Sequence, residues 1–462
     1  MRLTIFLLSI GLVGIQLDAS AQVHRSQTGM GSALIVPYWT AAGGNDSLLS
    51  IRNDSDQASV AKLHWLDDQG QLLQSFNVYL DAGSVWTGAV TAFGEGATLL
   101  RREVGCVLPS DLFTEIDFNL PALPLASRRG SLEIIEMASV EVGSDLAANQ
   151  SRWIDCDALA TRFEPGGPWI DDINAGLSAP TQRLSASVTI IDVTKGGMNT
   201  VAATALAGFS DLAQHSEPDS NAPDLSHAFD SEASSGGVRS LVCPASGCRT
   251  DEWADPISAV AAVLMTTSLR TDYTLSPDIA GEFEWMIHRP LKRYEAAHDN
   301  FEIGSAPVLN VRRRDGSLRI SGEICIPTPP PPMLPPACSS EYPLEPGIVQ
   351  HSLPFNASAG DIGELIQSAI LGHPTEVWPA FALVGMPAQL SFLEGAAELS
   401  LGHHDQPLLA PDGTQFRGEP VIGFGIQQFT NGTLIDGQGQ NVLANYRGTE
   451  VPRRILRLEL PD

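Results

Sequence analysis

The sequence predicts a mainly β protein: antiparallel β-sandwich domains, immunoglobulin-like or related, with a few decorating helices. Three observations carry this reading. Apolar and polar residues alternate through DSLLSIRN, ASVAKLHWLD, GQLLQSFNVYL and GSVWTGAVTA, between residues 46 and 92, as half-buried strands require. Turn residues in NDSDQ, DDQG and DAG separate these segments, with Gly70 and Gly83 able to take positive φ. Helical periodicity is rare elsewhere. Closely spaced strands of this kind describe an antiparallel meander, and a sheet that buries one face needs a second layer, most simply a sandwich.

In chain order, MRLTIFLLSIGLVGIQLDASAQ comes first. Arg2 is a short basic region, an apolar core runs from Leu3 to Leu17, and Ala19-Ser20-Ala21 is a small-residue cleavage site, so residues 1–21 read as a signal peptide. No later run approaches about 20 uncharged apolar residues, so no transmembrane segment is expected after cleavage. Beyond the four alternating segments, strands are expected at Gly130–Val142, Leu184–Val193, Glu282–His288, Leu318–Ile326, Gly347–Phe355, Trp378–Val384, Pro420–Phe429 and Ile455–Leu460. The best helix follows Asp255-Pro256, an N-cap with proline in the first turn, and places Ile257, Val260, Ala261 and Leu264 on one face. A weaker one covers about Leu146–Arg162. Residues 211–238 contain six acidic residues and no Lys or Arg, and read as a flexible loop or a boundary. A cut there gives an N-terminal β-sandwich half, 22–240, and a C-terminal β-rich half, 241–462.

Six cysteines in an exported chain form an even set, and pairs close in sequence are favoured: Cys106 with Cys156, Cys243 with Cys248, Cys325 with Cys338. The last pair flanks CIPTPPPPMLPPAC. A straight polyproline run of that length would span roughly 40 Å, whereas bonded cysteine Cα atoms lie about 4.4–6.8 Å apart. If its ends are bonded the run turns back on itself, so 325–338 is expected to be a stapled surface loop, with a linker or an exposed recognition arm as the alternatives.

A formal net charge of −27 repels phosphate backbones and anionic lipid, so nucleic acid is not an expected partner. A membrane barrel would want aromatic girdles and longer strands, against 6% aromatic residues and 32 prolines here.

Taken in order, GSALIVPYWT, NDSLLSIRN, FNVYLDAGSVWTGAV, GSLEIIEM, LSASVTIIDV, AVAAVLM, WMIHRPLKRY and PVIGFGIQQFTNG resemble the signature segments of a family of uncharacterised exported proteins from Gram-negative bacteria. The similarity spans roughly residues 30–450, and the cysteine-flanked proline loop has a counterpart in it. The resemblance implies compartment and architecture, and carries over no catalytic residue or activity.

Candidate sites are few. No GxSxG elbow, HExxH motif or paired CxxC is present. His403-His404-Asp405 reads as a solvated turn, since an extended backbone sends adjacent imidazoles to opposite faces. Asp46, Asp54 and Asp56 flank one early strand and are the candidate calcium ligands, although aspartates also favour turns for their own hydrogen bonds. Glu136 stands in an apolar row with Leu132, Ile134, Ala138, Val140 and Val142, so burial would demand a partner, and Lys292 or Arg293 could supply an ion pair. The tryptophans could stack on sugars, but in alternating strands they are more often core.

The expectation is an exported, non-catalytic β-sandwich protein, periplasmic, secreted or held at the outer cell surface. It would bind a protein or glycan ligand, or serve adhesion or envelope structure. The rival is a secreted hydrolase acting on polysaccharide, whose mark would be a deep pocket with two carboxylates about 5–10 Å apart.

Overall fold

Strand formation follows the alternation closely in the first half of the chain. The computed structural model describes residues 22–101, 106–115, 121–146, 153–234, 236–276, 279–297, 308–314, 318–321, 350–354, 365–368, 370–372, 374–376, 394–401, 407–435 and 437–461. The leader, Cys325 and Cys338 with their proline loop, the strand expected at Trp378–Val384 and the histidine pair at 403–404 lie outside these residues.

Among the described residues, eighteen strands precede the main helix. They are β1 (Gln22–Arg25), β2 (Ala33–Thr40), β3 (Asn45–Asn53), β4 (Ser59–Asp67), β5 (Leu72–Leu80), β6 (Val85–Phe93), β7 (Gly96–Leu100), β8 (Cys106–Leu108) and β9 (Thr114–Glu115). Then come β10 (Pro121–Leu125), β11 (Arg129–Val140), β12 (Trp153–Ile154), β13 (Leu177–Ser178), β14 (Leu184–Asp192), β15 (Gly197–Ala202), β16 (Thr204–Ala207), β17 (Val238–Val242) and β18 (Arg249–Trp253). A ten-stranded sheet has the order β18-β17-β1-β16-β2-β11-β4-β5-β8, with β13 paired to β11. A seven-stranded sheet has the order β15-β14-β3-β6-β7-β10-β9.

The fold is therefore mainly β, with antiparallel sheets and few helices. The early strands do not form one meander, however. β3 and β6 pair in the seven-stranded sheet, whereas β4 and β5 pair in the ten-stranded one. Each strand carries one apolar row, and the rows meet across a shared core: Ala61, Leu63, Trp65, Phe76 and Val78 face Leu49, Ile51, Trp86 and Val188. Burial against the opposite sheet drives this separation into two layers.

The ten-stranded sheet is covered on its other side too. Ala33, Ile35 and Ile135 pack there with Val260, Leu264, Trp253 and Phe416 in a second core. The helix Pro256–Leu264 supplies much of it, capped by Asp255, whose side chain accepts from the Ser258 N–H. Coverage on both faces explains β2, ALIVPYWT, which is buried at every position and does not alternate. Pro37 sits inside this interior strand, next to an irregularity where the β11 register shifts between Gly130 and Leu132.

Residue 240 falls inside β17, which pairs with β1 on one side and β18 on the other. The first core also takes in Met286, Phe424 and Ile426. The two halves thus share a sheet and both cores. A buried ion pair joins them again: Arg447 Nη2 lies 2.6 Å from Asp192 Oδ2 at the end of β14. Gly197 leaves the room, since a Cβ there would stand 2.7 Å from Arg447 Nε.

Two of the expected disulfides, Cys106–Cys156 and Cys243–Cys248, are formed. Within 211–238, expected to be a flexible loop or a boundary, residues 211–227 form a strap laid across the ten-stranded sheet. Asn77 donates to Ser216 O, Lys62 to Glu217 O and Pro218 O, Ser75 to Ser220 O, and His64 Nε2 to Pro223 O. These side chains rise from β4 and β5, so the sheet supplies the donors that the strap's carbonyls need.

Candidate functional site

The strap forms one wall of an open cleft of about 360 Å³, at the lower end of the range for small-molecule sites. Glu217, Pro218 and Asp219 line this wall. Leu108, Pro109, Ser110 and Asp111 line the second, and Ala160 and Phe163 the third. All three walls are anchored. Cys106–Cys156 ties the second to the third, and Lys62 holds the strap from beneath through its bonds of 2.6 and 3.3 Å to the Glu217 and Pro218 carbonyls. Phe163 is fixed by Trp169 and His215, with ring centroids 4.7 and 5.7 Å away.

The chemistry of the lining is asymmetric. Leu108 is buried and Phe163 half-buried, giving an apolar floor, while Asp111, Glu217 and Asp219 are exposed at the rim. Among the described residues, no lysine, arginine or histidine is in the lining, and its ionisable groups are the carboxyls of Asp111, Glu217 and Asp219. Such a surface offers acceptors for hydroxyl or ammonium donors and a flat apolar contact between them.

Beneath the strap lies a closed polar cluster. Glu133 and His64 are direct cross-strand partners on β11 and β4. Tyr294 Oη donates to Glu133 Oε2 at 3.1 Å, and Arg293 Nη1 stands 3.6 Å from the same oxygen. Among the described residues, Glu133 Oε1, His64 Nδ1 and Ser131 Oγ have no hydrogen-bond partner. Desolvation lifts Glu133 to about 7 against the pull of Arg293, and lowers His64 to about 4 with help from Lys62 and Arg293. Lys62 falls to about 7, again by burial, partly opposed by Asp219 and Glu217. Acid, base and phenol are thus assembled here, yet Ser131, Glu133 and His64 are each at most 1% exposed. Substrate has no path to them as they stand, and the cluster serves packing.

Other expected residues fall as follows. Glu136 is not paired with Lys292 or Arg293; Arg293 turns to Glu133 instead. Glu136 accepts from Ser59 Oγ at 2.9 Å, Thr181 N at 2.9 Å, Thr181 Oγ1 at 2.6 Å and Gln182 N at 2.9 Å. Neutral donors answer its burial, although desolvation still raises its carboxyl. The register of β11 shifts between Glu136 and Ala138, so the expected single row is broken and Met137, Ala138 and Val140 join a third apolar cluster. The clamp also holds Gln182 at φ 63°, a left-handed conformation uncommon for glutamine.

Asp46 stands at one end of β3 and Asp54 and Asp56 just beyond the other, roughly 25 Å apart along an extended strand. The candidate calcium ligands therefore do not converge, and Asp54 accepts from Ser185 Oγ at 3.0 Å. No cluster of three or more His, Cys, Asp or Glu residues suited to a metal occurs among the described residues.

One Ser, His and Asp grouping went unread in the sequence. Asp224, Ser226 and His227 meet at the start of a 3-10 turn, but Asp224 and Ser226 both approach Nδ1 of His227. A catalytic relay needs the two on opposite ring nitrogens, so this is a helix cap. Asp224 is held low by the bonds from His227 and Ser226 despite its burial.

Comparison with known protein families, with curated proteins and with solved structures finds no match. No helix among the described residues is long and apolar enough to cross a membrane.

Proposed function

We propose that this is an exported, non-catalytic binding protein of the cell envelope or extracellular space, akin to the uncharacterised exported family its segments resemble. Its cleft between strap, Cys106–Cys156 loop and Phe163 takes a neutral glycan. The observation that carries this reading is the lining itself: among the described residues, an apolar floor with one aromatic ring, edged by three acceptors and no cation. Sugar C–H faces pack on such floors and hydroxyls donate to such rims. Six of the eight tryptophans, Trp39, Trp65, Trp86, Trp169, Trp253 and Trp285, belong to buried packing and offer no platform.

The second reading, a polysaccharide hydrolase, rests on Asp111, Glu217 and Asp219 sharing one cleft. Their exposure argues against it, because a catalytic acid is kept protonated by burial. The test is retention of the protein on immobilised envelope polysaccharide, with the D111N/E217Q/D219N variant as control. Retention that the variant loses, at an unchanged melting temperature, supports the binder; equal retention by both overturns it.

A further inference from the structure

We propose that Gln22 becomes the first residue of the mature chain and is closed to a pyroglutamyl lactam, making the N-terminus of this protein a modification site. The inference rests on the proposed export, because only cleavage after Ala21 in the small-residue motif Ala19-Ser20-Ala21 frees the α-amine of Gln22.

The structure then places that amine where a charge is poorly solvated. Gln22 opens β1, an interior strand with β16 on one side and β17 on the other. Val23, the next residue, is fully buried. Gly208, at φ 63°, crowds the terminus so closely that a Cβ there would lie 3.1 Å from Gln22 N and 2.2 Å from Gln22 O. In register, Gln22 stands opposite Arg239, whose guanidinium is already held by Asp230 and Glu232. An ammonium ion at this point would lose part of its water shell, whereas a neutral lactam has no charge to solvate.

The chemistry needs only the residue itself. The unprotonated α-nitrogen attacks Cδ of its own side chain, the N–Cδ bond forms, the Cδ–Nε2 bond breaks, and Nε2 leaves as ammonia with the proton given up by the amine. The former side-chain carbonyl is kept as the lactam carbonyl, while the contact that Oε1 makes with Thr250 Oγ1 at 3.2 Å is given up as the side chain folds back onto the α-nitrogen.

Intact mass and N-terminal sequencing of the protein recovered from its exporting host test this. The expected mature chain starts at residue 22, is lighter by one ammonia than the unmodified sequence, and resists stepwise degradation until a pyroglutamyl peptidase removes one residue. The variant Gln22→Ala is expected to be cleaved at the same bond, to show no ammonia loss, and to sequence directly. A chain starting at Gln22 with a free amine overturns the lactam and leaves export standing. A chain that keeps its leader, or starts elsewhere, overturns both.

Discussion

Glu133 and Glu136 stand three residues apart on β11 and are buried to the same degree, but they answer burial differently. Glu136 has four donors, so replacing it removes an acceptor that the 181–182 turn needs. Glu136→Gln presents an NH₂ group to at least one of those donors, and is expected to lower stability by about 1–3 kcal/mol, read as a fall in melting temperature. Glu133 has too few partners for its charge. Its folded-state carboxyl is raised from 4.5 to about 7, so the fold favours the protonated form. Stability contributed by that group is full below pH 4.5 and is lost as the pH rises through about 7. Glu133→Gln should therefore raise the melting temperature at pH 8, by the equivalent of about 3 kcal/mol, and leave it nearly unchanged at pH 4.5. Lys62 acts in the opposite sense. Its folded-state value is lowered to about 7, so its cost is present at neutral pH and below and is relieved as the pH rises from there towards 10.5.

At the level of elements, the strap and the disulfide carry the cleft. Composition alone gives 211–227 the look of a flexible acidic loop, because its carbonyls, which do the bonding, are invisible in a residue count. The donors Lys62, His64, Ser75 and Asn77 occupy alternating positions of strands the sequence does reveal, as polar residues where one face was expected to meet solvent. Limited proteolysis should leave 211–227 intact while the rest of the fold persists; early cleavage within it would contradict the pinned strap. Cys106→Ala with Cys156→Ala opens a link of sequence separation 50, for which the chain-entropy model gives about 4 kcal/mol. The expected result is a lower denaturation midpoint and weaker ligand retention, since two walls of the cleft lose their tie. β3 to β6, β11 and β14 were legible because each has one solvent-facing or differently covered side. β2 was not, because burial on both faces erases alternation and Pro37 argues against a strand.

At the scale of the whole molecule, two layers of sheet share the first core and a helix with later strands closes the second, so residues far apart in the chain stabilise one another. Sequence periodicity reports which residues face inwards but not which strand they face. That is why the sandwich class was readable, while the splitting of the early strands between sheets and the passage of β17 through residue 240 were not. The cleft was hidden for the same reason: its walls come from residues 108–111, 160–163 and 217–219, which share no motif. The central claim is that these walls bind glycan and do not cut it. Exported wild-type protein and the D111N/E217Q/D219N variant, incubated with envelope polysaccharide and assayed together for retention and for new reducing ends, test it most directly. The account predicts retention by the wild type alone and no reducing ends from either; reducing ends released by the wild type and abolished in the variant would contradict it.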